Sequence, residues 1–291
     1  MIMEYVMSEL LRAAQGTTIA AAARNAQARE DGITPEELTL RMIRYLHVMR
    51  ESVQAGLDPE LRSVSQMAGG QAAKLYAQFK RDGSLCGGPL GKATAYALAV
   101  AECNACMGKI VAAPTAGACG ILPAALLAVQ EEKNLSDEAV AGALFTAAAV
   151  GRVIAQEATI SGAEGGCQAE SGSAAAMTAA ALVELMGGTP MMAADACSFA
   201  LMNSMGLVCD PVGGLVEVPC VYRNVGGVGN AFTAADMALS GITCPIPPDE
   251  VILAMKEVGD AMPASLRETG EGGCANCPSM RARFNTQGLR P

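Results

Sequence analysis

Small residues supply most of the apolar content of this chain, and this limits the folds that are open to it. Hydrophobic residues make up 51% of the 291 residues, yet there are only five Phe, five Tyr and no Trp. Small side chains allow helices to pack closely, whereas sheets favour β-branched and aromatic residues. No segment shows the apolar–polar alternation of a strand. We therefore predict an all-α fold, a single domain over residues 1–291 with a peripheral helical segment at 1–40 and a tail at 268–291.

Caps and glycines predict where the helices begin and end. Thr34 and Ser136 are good N-caps for helices at 35–57 and 137–157. Further helices are predicted at 90–107, 122–133, 174–186, 190–209, 232–240 and 249–260. The glycine-rich segments 111–120, 159–173 and 210–229 are predicted to be loops, and each contains a cysteine. Long loops in a compact domain are usually functional.

Charge and hydropathy exclude some classes of partner. The formal net charge is −9 and no basic run is present, so we expect neither nucleic acid nor an anionic membrane surface as a partner. The N-terminal eleven residues carry Glu4 and Glu9 and lack the pattern of a signal peptide. Charged residues and prolines interrupt the apolar stretches near 95–130 and 139–155, which favours buried helices over membrane spans. We expect a cytoplasmic protein.

Eleven cysteines require an explanation, because disulfides are not expected in a reducing compartment. Cys167 lies in a run of glycines, where backbone can approach a bulky inorganic ligand. Cys209 and Cys220 bracket a Gly-Gly pair that could turn the chain and bring two thiolates together. Three loop cysteines without a nearby fourth suit an iron–sulfur cluster with one position free of thiolate. Spacing alone leaves a second interpretation open, in which they are small buried hydrophobic residues.

Four motifs carry a resemblance to a known family: Glu102–Gly108, Val111–Gly117, Ser161–Gln168 and Cys209–Cys220. Residues 41–275 resemble the alpha subunit of bacterial iron–sulfur L-serine dehydratases. The resemblance implies that Cys167, Cys209 and Cys220 hold a [4Fe-4S] cluster with one iron open to L-serine, which is converted to pyruvate and ammonia. It also implies a separate beta subunit, because that module's Ser-Ser-His-Thr type of motif is missing here. We expect the assembly to be oligomeric.

Candidate residues for the substrate come from the loops and from the helix that leads into them. They are Thr115, Gly117, Ser161, Gly162 and Asn104, with Ser171 beside Cys167 and Glu102 beside Asn104 as further possibilities; helix capping is the alternative role for the Ser and Thr residues. No residue stands out as the general base. Lys109 and Arg267 are the catalytic candidates. Lys92 and Lys109 could act as bases only if they are desolvated. The lone His47 has the pattern of a surface residue.

The other cysteines are given separate interpretations. Cys103, Cys106 and Cys197 are predicted to fill the core, and Cys119 to form a pocket wall. The Cys-x-x-Cys spacing of Cys103 and Cys106 leaves a redox or metal role as the alternative for that pair. Cys274 or Cys277 either caps the open iron or belongs to a labile surface pair. Alternative functions on the same scaffold are an L-cysteine desulfidase, an L-threonine dehydratase and a non-catalytic iron–sulfur redox sensor. A pyridoxal-phosphate enzyme would require a sheet pattern that the sequence lacks.

Overall fold

Helices make up the regular structure of residues 6–287, which are the residues that the computed structural model describes. They are α1 Met7–Ala13, α2 Ile19–Asp31, α3 Pro35–Gly56, α4 Gln71–Asp82, α5 Gly88–Ala105, α6 Ile121–Lys133, α7 Asp137–Glu157, α8 Gly162–Gly165, α9 Ser173–Leu185, α10 Pro190–Met202, α11 Cys220–Leu239, α12 Pro248–Ala261 and α13 Pro278–Gln287. A π-helical turn spans Gln168–Gly172. These residues contain no strand, only an isolated bridge between Cys209 and Arg267. The all-α prediction is confirmed.

The predicted helix caps are present. The side chain of Thr34 accepts a hydrogen bond from the Glu37 amide at 3.1 Å, and that of Ser136 accepts one from the Ala139 amide at 3.3 Å. Each such cap stabilises a helix by about 1 kcal/mol, because it satisfies an amide that has no partner inside the helix. The starts of α3 and α7 are therefore fixed by local sequence.

Helix α9 is the centre of the fold. Every side chain from Ser173 to Val183 is buried, and α6, α7, α10 and α11 pack around this helix. Alanines dominate these contacts, as the composition predicts. The same close packing occurs between α3 and α5, where a Cβ atom on Gly56 would lie only 1.8 Å from the carbonyl oxygen of Ala99. A larger residue at position 56 would push the two helices apart.

Helix α7 is long and apolar enough to cross a membrane by length and composition, and it is the one such helix among residues 6–287. It lies largely inside the protein, however, where it contacts α9, α2 and α3. A buried core helix meets the same criteria of length and composition.

Two of the predicted loops are more helical than expected. Segment 159–173 contains α8 and the π-helical turn, and segment 210–229 becomes helical at Cys220, where α11 begins. The predicted helix at 190–209 ends at Met202. The glycines of α11 suggested a loop, but Gly227 serves packing: a Cβ atom there would be 2.4 Å from Ile121 Cδ1 of α6.

Both chain ends in the described range contribute to the fold. Met7, Ala14 and Ile19 of the segment predicted to be peripheral belong to the main core. In the predicted tail, α13 packs on the turn between Cys209 and Cys220, and a Cβ atom on Gly213 would lie 2.3 Å from the Phe284 ring. The tail therefore covers one side of the cysteine loop.

Candidate metal centre and substrate site

Cys167 lies where the chain enters the central helix. It precedes the π-helical turn Gln168–Gly172, which continues directly into α9. The residue before it, Gly166, has a φ of 75°, and a Cβ atom there would be 2.9 Å from the carbonyl oxygen of Leu207. Glycine is required for both reasons. π-Helical turns are rare and frequently occur at functional sites.

Two other segments hold Cys209 and Cys220 beside this turn. The Cys209 amide donates to the Leu266 carbonyl at 2.8 Å, and its own carbonyl accepts from the Glu268 amide at 2.7 Å. Cys220 is the first residue of α11, which contacts both α9 and the π-helical turn. The cysteines approach one another because the first turns of two packed helices are neighbours.

The three thiols are close enough to affect one another's ionisation. Burial is the main cause that raises the pKa of Cys209, followed by the charge of Glu170 and then by Cys167. Burial also raises the pKa of Cys220 to about 12, and Cys167 is the next cause. These shifts describe the metal-free protein, because a thiol that coordinates a metal is deprotonated. The three predicted cysteines are therefore neighbours, and their role as cluster ligands stays a prediction.

The donor set is compatible with a cluster rather than with a single ion. Within the described part of the chain, no three His, Cys, Asp or Glu side chains are arranged to hold one metal ion. Iron–sulfur clusters are held by Cys thiolates on separate irons, so their ligands need space between them. Gly162 leaves such space, since a Cβ atom there would lie 3.0 Å from Cys209 Sγ.

Arg223 lies beside the cysteines and was not among the candidates predicted from the sequence. Its guanidinium donates to the Val208 carbonyl at 2.7 Å and to Asp210 Oδ1 at 2.6 Å, and it also contacts the Cys167 thiol. The ion pair is buried, with Asp210 only 2% exposed. Burial lowers the pKa of Arg223, but Cys167 and Asp210 outweigh this effect and raise it. Its position three residues after Cys220, on the same side of α11, is the one sequence signal for it.

Glu170 is the second residue that was missed. It lies in the π-helical turn three residues after Cys167, and its Oε1 accepts a hydrogen bond from Thr115 Oγ1 at 2.8 Å. Its Oε2 is 3.9 Å from Cys209 Sγ. Burial raises the pKa of this carboxyl group, and the Thr115 hydrogen bond opposes the shift. Glu170 therefore connects the cysteine site with the loop that contains Thr115.

That loop, residues 111–120, is attached to the cysteine site by Asn224, which is completely buried. The Asn224 side chain donates to the carbonyls of Gly117 at 2.7 Å and Cys220 at 2.9 Å, and accepts from the Gly120 amide at 2.8 Å. Because one side chain joins the loop to the first turn of α11, the loop and Cys220 keep a fixed separation.

The predicted substrate residues divide into two groups. Thr115, Gly117 and Gly162 lie around the Glu170 carboxylate, where Cβ atoms on the two glycines would be 3.4 Å and 2.7 Å from its oxygens. Asn104 instead donates to the Ala116 carbonyl at 3.1 Å and supports the loop. Ser161 is the N-cap residue of α8, and its backbone carbonyl accepts hydrogen bonds from later amides of that helix. Among the described residues, its hydroxyl forms no hydrogen bond.

Within residues 6–287, neither predicted catalytic candidate has a side-chain hydrogen bond or ion pair to the three cysteines, although the Arg267 backbone pairs with Cys209. Lys109 is 74% exposed and pairs with Glu51 at 4.0 Å, so the desolvation that a lysine base requires is absent. Arg267 donates to the backbone carbonyl of Glu164 at 3.2 Å. His47 pairs with Asp137 at 3.1 Å on the surface, as its pattern predicts.

Two further candidates have structural contacts. Lys92 pairs with Glu131 at 3.0 Å. Glu102 is fully buried and accepts hydrogen bonds from the amides of Gly69, Gln71 and Ala72 at the start of α4, which makes it a helix cap supplied by another helix.

The remaining cysteines are also placed. All eleven are free thiols, and Cys103 and Cys197 are buried as predicted. Cys119, predicted to form a pocket wall, is a fully buried core residue. Cys106 was also predicted to fill the core, but it is partly exposed because it lies at the C-terminal end of α5. Cys274 and Cys277 are exposed, but the Cys274 amide donates to Asp210 Oδ2 at 2.5 Å, beside the Arg223 ion pair. The location of Cys274 at the edge of the cysteine site is consistent with either role predicted for it, and the iron-capping role stays a prediction.

A groove of about 530 Å³ leads from the surface towards the cysteines. Its lining includes Ser171 and Arg223 together with Tyr222, Asn203 and Asn230. The hydroxyl of Ser171 is 3.1 Å from the Cys167 sulfur, so the inner end of the groove meets the site. The groove therefore ends beside Cys167.

Comparison with known proteins gives a consistent result. The sequence model of a family described as serine dehydratase alpha chain matches residues 3–275. The probable L-serine dehydratase alpha chain of Bacillus subtilis is 52% identical over 85% of this chain and 82% of its own length. The L-serine dehydratase alpha chain of Peptoniphilus asaccharolyticus is 47% identical over 83% of each. A longer relative, the L-serine dehydratase of Streptomyces coelicolor, is 37% identical over 92% of this chain but only 59% of its own.

Proposed function

This chain belongs to the serine dehydratase alpha-chain family, and we propose that it is the catalytic subunit of an L-serine dehydratase, a lyase that forms pyruvate and ammonia. The observation that carries this proposal is the convergence of Cys167, Cys209 and Cys220 from three separate segments at one buried site. All three lie within the residues that match the family. The relatives that cover most of the chain are named for this activity.

The three cysteines would hold a [4Fe-4S] cluster, which normally takes four thiolate ligands. With three thiolates from this site, one position is left for substrate. When bound, such a cluster supplies a Lewis-acidic iron that stabilises the oxygen leaving C3 of serine. Arg223 contributes a permanent positive charge beside Cys167, and a neighbouring cation favours the thiolate form that a metal requires.

The loop at 111–120 is suited to hold the substrate carboxylate. The amide N–H groups of Thr115, Ala116, Gly117 and Ala118 have no hydrogen-bond partner within residues 6–287. The loop leads into the N-terminus of α6, a thirteen-residue helix. Successive free amides near a helix N-terminus favour an anion. Thr115 and Gly117 are therefore proposed to orient serine by its carboxylate.

Removal of the proton from C2 requires a base that we propose is completed by a separate beta subunit. The candidate bases have other partners: His47 pairs on the surface with Asp137, Lys92 with Glu131 and Lys109 with Glu51. The chain covers 59% of the longer relative, whose additional length can contain such a module. Val216, 40% exposed beside Gly117, gives the site an apolar rim that a partner could cover.

The decisive experiment is anaerobic purification of the chain alone and together with its beta partner. We expect four irons and four inorganic sulfides per chain in both samples, following the [4Fe-4S] assignment, and full pyruvate release from L-serine only with the partner. Turnover of L-threonine and L-cysteine in the same assay measures preference within the class. An iron-loaded complex that acts on none of the three would overturn the proposed function. We place the enzyme in the cytoplasm, whose reducing conditions keep eleven thiols unpaired.

A further inference from the structure

The Glu170 carboxylate is partly buried and has no cationic partner within residues 6–287. Among residues 6–287 it forms no ion pair with any Lys, Arg or His, and the cation that affects its ionisation, Arg223, is committed to Asp210. A buried carboxylate is costly unless a hydrogen bond or an opposite charge compensates it. Thr115 donates a hydrogen bond to Oε1 and the Cys209 thiol donates a long one of 3.9 Å to Oε2, so part of the carboxylate's capacity to accept hydrogen bonds is unused.

The surroundings of this carboxylate combine two glycine backbones, a cysteine thiol and a loop with free amides. Its two oxygens lie between the backbones of Gly117 and Gly162, where added Cβ atoms would be 3.4 Å and 2.7 Å away. On one side is Cys209 Sγ at 3.9 Å from Oε2. On the other is the loop whose amides, from Thr115 to Ala118, have no hydrogen-bond partner in the described chain.

We infer that Glu170 binds the α-ammonium group of the substrate, while the neighbouring amides bind its α-carboxylate. The ligand class is an L-α-amino acid with a small polar group at C3. The two ends of such a zwitterion match an unpaired carboxylate and a row of free N–H donors in adjacent positions. This inference rests on the proposed function, because it assigns a role in the same site.

The inference predicts selective recognition of the amino group. L-Serine and 3-hydroxypropanoate share a carboxylate and a hydroxyl group, but only serine carries the ammonium. Glu170→Gln keeps the size of the side chain and its hydrogen bond from Thr115 while removing the charge. We expect the affinity for L-serine to fall about 10- to 100-fold, as for loss of a charge-assisted hydrogen bond. The affinity for 3-hydroxypropanoate should not change.

The experiment measures binding of both compounds by calorimetry, and KM, kcat and inhibition by 3-hydroxypropanoate in the iron-loaded complex. Glu164→Gln is the matched control: it lies in the same segment, is exposed, and its side chain bonds Thr159 rather than the site. Glu170→Asp, which keeps the charge, should retain more of the preference for serine than Glu170→Gln. Iron content and the visible absorption spectrum are recorded for each variant.

Three results would overturn the inference. Equal loss of affinity for both compounds would make Glu170 a supporting residue only. A lower kcat with unchanged serine binding would make it a base. An altered absorption spectrum with the serine preference intact would make it a ligand of iron. If the complex binds L-serine with this preference but releases no pyruvate, the proposed function fails and the inference survives. If turnover is normal and Glu170→Gln does not weaken the binding of L-serine selectively, the inference fails and the proposed function survives. If Glu170→Gln does not fold, Glu170→Asp decides through the same ratio of affinities.

Discussion

Cys197 in helix α10 and Cys167 at the entry to α9 are both almost completely buried, and burial raises the pKa of both thiols. Their neighbours differ. Cys197 is surrounded by the alanine-rich core, with Asp249 as the only other influence on its pKa. Cys167 has the Ser171 hydroxyl at 3.1 Å, the Arg223 guanidinium and two further thiols.

This comparison teaches that burial does not identify a functional cysteine. A buried thiol surrounded by apolar atoms behaves as a small hydrophobic residue. A buried thiol surrounded by hydroxyl, guanidinium and other thiol groups lies where the negative charge of a thiolate can be stabilised. Burying such polar groups costs free energy of folding, so they are expected where they serve binding or chemistry. The predictions below test this difference between the core and the loop site.

The largest expected effect is removal of a loop cysteine. Cys167→Ala, Cys209→Ala or Cys220→Ala should each remove bound iron and lower serine turnover by more than about 100-fold. The loss should exceed the roughly 10- to 100-fold effect that is typical of residues that only support a metal ligand. Cys197→Ala should keep both and lower the free energy of unfolding by about 1 kcal/mol through lost packing. Iron analysis and pyruvate release measure the difference. Full iron content in all three loop variants would break the comparison.

The buried ion pair beside the site should contribute more to the free energy of unfolding than an exposed ion pair in the helices. Arg223→Met leaves the buried Asp210 carboxylate without its cationic partner, which should lower the free energy of unfolding by about 3 kcal/mol. The control is Arg41→Met, which removes an exposed pair with Glu37 in α3 and should cost about 0.5 kcal/mol or less. Urea unfolding measures both values. Equal effects for the two variants would contradict the account.

Glycines in the two regions should respond in opposite ways. Gly162→Ala places a Cβ atom 2.7 Å from Glu170 Oε2 and 3.0 Å from Cys209 Sγ, and a displacement of these groups should lower turnover about 10- to 100-fold. Gly142→Ala in α7 meets open space and should raise the free energy of unfolding by about 0.5–1 kcal/mol without affecting turnover. Steady-state kinetics and urea unfolding test the pair, and normal activity of the Gly162 variant would refute the first expectation.

The smallest effect concerns the pH dependence of stability in the core. Burial raises the pKa of Cys197 to about 12 from an ordinary value of 9.0. Below pH 9 the thiol is protonated in both states; above it, the unfolded chain loses the proton while the folded one keeps it. The free energy of unfolding therefore falls as pH rises, by at most about 1.4 kcal/mol per pH unit.

Cys197→Ala removes this contribution. In iron-free protein, the stability advantage of the natural chain over the variant should shrink by about 1 kcal/mol between pH 8 and pH 10. Urea unfolding at the two pH values gives the result. A constant difference would show that the core thiol ionises as readily as one in water.

Local sequence predicted the helices but not their long-range contacts. Thr34 and Ser136 fixed helix starts because a cap involves only neighbouring residues. The glycines of α11 were interpreted as a loop because their reason, close approach to Ile121 of another helix, is a tertiary contact. The start of this helix at Cys220 was missed for the same reason.

For the site, the three cysteines came from family motifs, since spacing alone left two interpretations open. Glu170 and Arg223 were not predicted, because their roles depend on residues distant in sequence, Thr115 and Cys167 respectively. Lys109 qualifies as a base only if it is desolvated, yet its side chain is at the surface. Proximity in sequence could not show which way each side chain extends.

The central claim is that three thiolates from separate segments hold one iron–sulfur centre. Anomalous diffraction at the iron absorption edge, from crystals of anaerobically purified protein, tests it most directly. The account predicts a single iron site in contact with the sulfurs of Cys167, Cys209 and Cys220, with Arg223 and Glu170 beside it. Iron bound elsewhere, for example at Cys103 and Cys106 or at Cys274 and Cys277, with the three loop sulfurs left unligated, would contradict it.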